Sequence, residues 1–292
     1  MALDLEINDK ITIDISIPFY INNNNIRKEL TIKIFKHYVN LKKFFFNKAI
    51  ITLTLVGSEN EISRDLVLNY FDENEYYEFD QSIYSYDLNK SWNNINFMTM
   101  LSDKFKKCYE ISMLKKPNIS LLAGSNDYIC YDFFEQIINS YNNNKNSKYI
   151  YGINNYYNGG NIVNFIKYNS NIIDIFDNGK SFFWEGSTIA RSQFNYCGGI
   201  IGFNDHLYLN NENKIIDIVN LDEGEIEFNL LKLDNVSQFN STELFYLNIK
   251  TDFDLNSFEN LLNYPLKQIT FDKISDNLKK NIINEIQLFN SL

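Results

Sequence analysis

The sequence predicts an α/β fold, a doubly wound and mostly parallel sheet followed by a mixed C-terminal half. Three observations lead there. Strand-type and helix-type periodicities alternate up to about residue 142, the pattern that builds parallel sheets through crossover helices. Residues 118–123 (NISLLA) form a short, nearly all-apolar run, as a strand covered on both faces requires. Beyond residue 142 the alternation gives way to strand-like segments and glycine-rich turns.

Ile11 to Tyr20 reads as a strand, because Ile11, Ile13, Ile15 and Ile17 alternate with Thr12, Asp14 and Ser16 until Pro18 ends the run. After a run of asparagines, Ile26, Leu30, Ile34, Tyr38, Leu41 and Phe45 recur at spacings of three and four, which makes an amphipathic helix. Ala49 to Val56 is a second strand, stopped at Gly57; Glu61 to Tyr70 is a short helix and Tyr76 to Phe79 a short strand. Met98, Leu101, Phe105 and Cys108 line a further helical face. The strand at 118–123 runs into Gly124-Ser125-Asn126-Asp127, a turn of small and acidic groups, and Tyr131 to Tyr141 is again helical. Lys148 to Tyr157 and Asn161 to Tyr168 read as strands joined by a hairpin-type turn at Asn158-Gly159-Gly160. Cys197 to Phe203 is an apolar segment punctuated by glycines, Asp222 to Leu233 an acidic helix and Ser275 to Phe289 a closing amphipathic helix. The asparagine runs at Asn22 to Asn25 and Asn142 to Asn144 fit an A/T-rich coding bias and read as turns first.

Composition narrows the function classes. Hydrophobic residues make up 45% of the chain and aromatics 16%, which supplies a substantial core. The formal charge of −10 disfavours broad binding to nucleic acid, which needs Lys and Arg to neutralise phosphates. Lys33, Lys36, Lys42 and Lys43 fall on one helix and Lys104, Lys106 and Lys107 on another, where they read as solvated faces. Cys108, Cys130 and Cys197 are odd in number, widely spaced and without a CxxC pair, so neither a zinc ribbon nor a disulfide framework is expected. No apolar run approaches the ~20 residues that span a bilayer, and the expected location is cytoplasmic, without integral membrane association.

In open parallel sheets ligands bind outside the carboxyl ends of the strands. Three such ends carry polar or special residues: Ile17-Pro18-Phe19-Tyr20, Val56-Gly57-Ser58-Glu59-Asn60 and Gly124-Ser125-Asn126-Asp127. In this order the chain resembles glycosyltransferases of the GT-A fold, especially the large family-2-like group, over roughly residues 11–142 and more weakly to about 233. The resemblance implies a GT-A-like nucleotide-sugar-binding and catalytic domain over 1–235, with 236–292 an extension packed on it, in a single domain overall. It implies a transfer of sugar from a nucleotide-diphosphate donor, a UDP-sugar foremost, to a hydroxyl on an unknown glycan, protein or modified nucleobase. Donor-binding positions are then Pro18, Phe19, Tyr20, Gly57, Glu59, Ser125, Asn126 and Gly199. A divalent cation, Mg2+ or Mn2+, would sit on Asp127, with His206 a further candidate ligand. The acidic motif of the family corresponds to Asp222-Glu223-Gly224-Glu225, which leaves the catalytic base open among Asp222, Glu223 and Glu225. Trp184-Glu185, in an expected loop, would suit acceptor stacking, and Arg191 would compensate diphosphate charge.

The departures from the pattern matter. Ser125 stands where the family carries the first metal-motif aspartate, and Gly224 interrupts the acidic pair. Two other readings therefore stand beside transfer. A sugar-phosphate nucleotidyltransferase would explain the acidic stretch Asn248 to Leu262, but the glycine-rich triphosphate loop that chemistry needs is missing after Pro18. A catalytically silent binding protein of the same fold would explain both departures.

Overall fold

The computed structural model describes residues 10–21, 24–59, 61–80, 103, 104, 107, 108, 110–112, 114–143, 149–154, 161–168, 181–186, 201–204, 236–241, 246–251, 268, 269 and 276–292. In chain order the strands are β1 (Ile11–Phe19), β2 (Ala49–Ser58), β3 (Tyr76–Phe79), β4 (Ile119–Leu122), β5 (Asp127–Ile129), β6 (Tyr149–Asn154), β7 (Asn161–Lys167), β8 (Ser181–Gly186), β9 (Ile201–Asn204), β10 (Val236–Ser241), β11 (Tyr246–Lys250) and β12 (Gln268–Ile269). The helices are α1 (Asn25–Phe44), α2 (Glu61–Leu68), α3 (Tyr131–Asn143) and α4 (Asp276–Asn290), with further helical residues between 103 and 115. Among the described residues no helix is long and apolar enough to cross a membrane.

Seven strands form one sheet in the order β10-β6-β9-β4-β1-β2-β3, and five form a second in the order β12-β8-β7-β11-β5. Within the larger sheet β3, β2, β1 and β4 run parallel. The chain winds outward from β1 through β2 to β3, then returns to lay β4 on the opposite flank of β1. That reversal makes the sheet doubly wound and puts a topological switch point between β1 and β4. The mixed half begins where β9 inserts antiparallel to both β4 and β6.

The periodicities explain why this half forms. On α1 the three-and-four spacing puts Leu30, Ile34, Tyr38, Leu41 and Phe45 on one fully buried stripe. Asn24 starts the helix by accepting the Arg27 amide on its side chain at 3.0 Å. The stripe meets the inward aliphatics of β1 and β2, and Phe134, Ile137 and Ile138 of α3 join the same core.

The polar side of β1 is covered as well as its isoleucine side. Asp14 and Ser16 are as fully buried as the isoleucines between them. The helical residues between 103 and 115 cover that face, and Asp14 is satisfied there. It accepts from Thr52 Oγ1 and Thr54 Oγ1, each at 2.7 Å, and from Lys115 Nζ at 3.0 Å. A buried carboxylate persists only with such partners.

Two further expectations are corrected. β6 and β7 lie in different sheets rather than pairing with each other, and the expected turn at Asn158-Gly159-Gly160 lies outside the described residues. Instead β6 pairs with β9 and β10, and β7 with β8 and β11. Trp184 and Glu185 lie inside β8, paired with Val163 and Ile162, rather than in a loop. The aromatic run Phe182-Phe183-Trp184 favours a pleated strand. Of residues 236–292, those described supply β10 to one sheet, β11 and β12 to the other, and in α4 the core residues Ile282, Ile286 and Phe289.

Candidate functional site

The register of the parallel strands fixes where their ends fall. Phe19 lies beside Gly57, Gly57 beside Glu78, and Ser16 beside Leu122, with the Ala123 amide donating to the Ser16 carbonyl. The carboxyl ends of β1, β2, β3 and β4 therefore share one rim. The residues expected there divide by burial. Pro18, Phe19 and Gly57 are inside the sheet, Tyr20 is half-buried and Glu59 is exposed, its amide tied to the Phe79 carbonyl. Phe19 packs edge-on against Phe35 at 5.4 Å, so what it brings to the rim is backbone. Gly57 has a steric reason: a Cβ there would stand 2.7 Å from the Phe19 ring and 2.8 Å from that of Tyr76.

Two cations organise this rim, and sequence reasoning assigned neither a role there. Lys104 was expected on a solvated face, yet it is only 3% exposed. Its ammonium donates to the Phe19 carbonyl at 2.5 Å and to Ser58 Oγ at 3.0 Å, joining the ends of β1 and β2. Burial lowers its pKa to about 8, because an ammonium taken out of water is disfavoured. Arg27, in the first turn of α1, reaches across the switch point and donates from Nη2 to Ser125 Oγ at 2.7 Å. The connection after β1 and the connection after β4 are thereby linked side chain to side chain. The only sequence signal for Arg27 was its place in the first helical turn after the Pro18 strand end.

The turn after β4 is tightly made. The Asp127 amide donates to the Gly124 carbonyl, and the Gly124 amide donates back to Asp127 Oδ2 at 2.8 Å. Asp127 is 3% exposed and opens β5, opposite Asn248 of β11. Asn126 exchanges hydrogen bonds with Ile249, its amide side chain donating at 3.1 Å and its carbonyl accepting at 3.0 Å. Asn126 thus anchors the turn to β11, while Ser125 is the residue that meets Arg27. β5 itself is three residues long, below the length at which a strand period can be read.

Among the described residues, the donor set at this turn does not by itself fit a resident divalent cation. Magnesium and manganese need several oxygen lone pairs around them. One Asp127 oxygen accepts from a backbone amide, the carboxylate is buried, and Ser125 Oγ accepts from a guanidinium whose charge would repel the metal. Among the described residues no cluster of three or more His, Cys, Asp or Glu is placed to hold a metal ion.

No family model matches the chain, and no curated protein matches it. Solved structures do. S. aureus TarS 1-349 in complex with UDP-GlcNAc is similar at 10% identity and a TM-score of 0.43, over 82% of this chain and 59% of that one. The galactosyltransferase LgtC in complex with donor and acceptor sugar analogues is similar at 10% identity and a TM-score of 0.39, over 78% of this chain and 73% of that one. A putative glucose-1-phosphate thymidylyltransferase from Bacillus anthracis is similar at 9% identity and a TM-score of 0.39, over 96% of both chains. The chain spans 59% and 41% of the lengths of the two TarS structures it matches first.

The remaining sequence candidates, Gly199, His206, Asp222, Glu223, Glu225 and Arg191, lie outside the described residues, as does Cys197. Cys108 and Cys130 are buried free thiols, and burial pushes both up from the usual thiol range. His37 is also interior. Its Nε2 meets the Ile129 carbonyl at 2.6 Å, and burial lowers its pKa to about 4.

Proposed function

We propose that the chain binds a nucleoside-diphosphate sugar along the shared rim and transfers the sugar to a hydroxyl acceptor. The observation that carries this reading is the topological switch point between β1 and β4, with the carboxyl ends of four parallel strands aligned beside it. A crevice at such a point is where open α/β sheets take nucleotides. Among the described residues, Tyr20 and Glu59 are accessible on the β1–β2 side and are assigned to the nucleoside, Glu59 by accepting from base or ribose. The Ser125 turn is assigned to the diphosphate.

In the transfer, the bond between the anomeric carbon and the diphosphate oxygen breaks, and its electron pair leaves with the diphosphate. The acceptor oxygen bonds to the anomeric carbon and its proton passes to a carboxylate. Asp222, Glu223 and Glu225 remain the candidates for that base. The role of Lys104 is to hold the ends of β1 and β2 in register beneath the nucleoside.

A thermal-shift screen of UDP-, GDP- and CMP-sugars, followed by product analysis, tests the reading. Stabilisation by a donor and release of nucleoside diphosphate are expected. Release of pyrophosphate from a nucleoside triphosphate and a sugar phosphate would instead assign the site to nucleotidyl transfer. A donor that binds but is never turned over with any acceptor or water would leave a binding protein, and the absence of any shift would remove the reading.

A further inference from the structure

We propose that the turn between α1 and β2 docks the protein on an anionic lipid bilayer, through two protruding phenylalanines set in a collar of lysines. The run is Lys42-Lys43-Phe44-Phe45-Phe46-Asn47-Lys48. Its middle ring, Phe45, is fully buried in the core, whereas Phe44 and Phe46 are 63% and 68% exposed. Closing a helix-to-strand turn requires neither outer ring, and apolar surface left in water is unfavourable until something covers it. Rings this far out stand on a projection rather than in a groove, and a projection suits insertion into a soft interface.

The charges point to the occupant. Lys43 precedes the rings and Lys48 follows them, both exposed; Lys42 lies in the last turn of α1, and the Lys10 ammonium stands 4.5 Å over the Phe46 ring. Among the described residues two carboxylates pair with these four lysines, Glu75 with Lys42 at 2.8 Å and Glu135 with Lys48. The turn is thus locally cationic in a chain of net charge −10. The helix macrodipole favours lysines in a last turn, but it gives no reason for exposed rings beside them. Rings that enter the acyl boundary while ammonium groups stay among lipid phosphates account for both. A second copy of the chain fits less well, because a twofold contact through this turn would set its lysines against one another. Ala49 opens β2 beside Ile11, the first residue of β1, so the turn lies at the amino ends of the strands. β2 is ten residues long, about 30 Å at roughly 3.3 Å per residue, and the rim of carboxyl ends is at its far end. Docking therefore leaves that rim facing water, and the inference stands independently of what the rim binds.

The test is flotation of the full chain with vesicles of phosphatidylcholine alone and with roughly 30% phosphatidylserine added. Binding to the anionic vesicles is expected, at least roughly tenfold tighter than to the neutral ones, and weakened in high salt. The double variant Phe44→Ser, Phe46→Ser is expected to lower that affinity by roughly ten- to a hundredfold. Lys43→Gln, which keeps both rings, is expected to lower it by roughly fivefold. Circular dichroism and melting temperature check folding, and Lys43→Gln carries the test if the double variant does not fold. Wild-type protein that ignores both kinds of vesicle, or variants that bind them as wild type does, would overturn the inference. So would self-association in sedimentation velocity that Phe46→Ser abolishes while vesicles are ignored, which would give the turn to a second copy. Binding of poly-glutamate, lost in Lys43→Gln and without any binding of vesicles, would give it to an acidic protein and overturn the inference equally.

Discussion

Replacing Lys104 with methionine isolates the electrostatic cost of the rim. The thioether keeps most of the stem's packing and removes the ammonium that bridges Phe19 and Ser58. In the folded protein Lys104 titrates near 8, against an ordinary value of 10.5. Between those values the unfolded chain holds more protons than the folded one, so wild-type stability rises with pH through that window. The gap of 2.5 units (10.5 − 8) corresponds to about 3 kcal/mol, at about 1.4 kcal/mol per unit. The methionine variant lacks this rise. Cys130 and the buried phenols, whose pKa values are raised, lose stability at alkaline pH in both proteins, so their effect cancels in the difference; the Cys108 thiol interacts with the Lys104 charge, so Cys108→Ala is made in both backgrounds. Urea denaturation followed by far-UV circular dichroism, from pH 7 to 10.5, should show the wild type gaining about 3 kcal/mol relative to Lys104→Met. A difference that stays flat to within about 0.5 kcal/mol would refute the burial of a charged lysine between β1 and β2.

Gly57→Ala places a methyl group 2.7 Å from the Phe19 ring and 2.8 Å from that of Tyr76; a loss of about 1–3 kcal/mol is expected from such overpacking, read as a lower urea midpoint, and an unchanged midpoint would count against the packing described. His37 titrates near 4 when folded and 6.5 otherwise, so the unfolded chain binds the extra proton first and stability falls as pH drops from 6.5 towards 4, by about 3 kcal/mol. His37→Phe should flatten that acid limb, and an equally steep limb in the variant would show that another group is responsible.

Much of the parallel half was legible because its signals are local. The isoleucine alternation of β1, the three-and-four stripe of α1 and the apolar run of β4 each lie within about twenty residues, and their boundaries differ from the structure by one to two residues. What escaped was set by partners distant in sequence. Asp14 is covered by the helical segment near 110, and Lys104 reads as a surface charge until the ends of β1 and β2 surround it. Arg27 acquires a role only when Ser125, 98 residues away, comes beside it. The separation of β6 from β7 into two sheets is of the same kind. Of the candidate site, the strand ends were visible in sequence, whereas the cations that organise them were not.

The threading of residues 236–292 through both sheets has a consequence for how the chain matures. While the first 235 residues are emerging from a ribosome, β5 and β7 have no β11 between them, and Tyr128 has no Phe289 to pack against. The interior can close only after α4 is released, so native packing of the early strands must wait for residues 236–292. A pause or a chaperone acting while residues 236–292 are made would therefore govern yield more strongly than one acting before them.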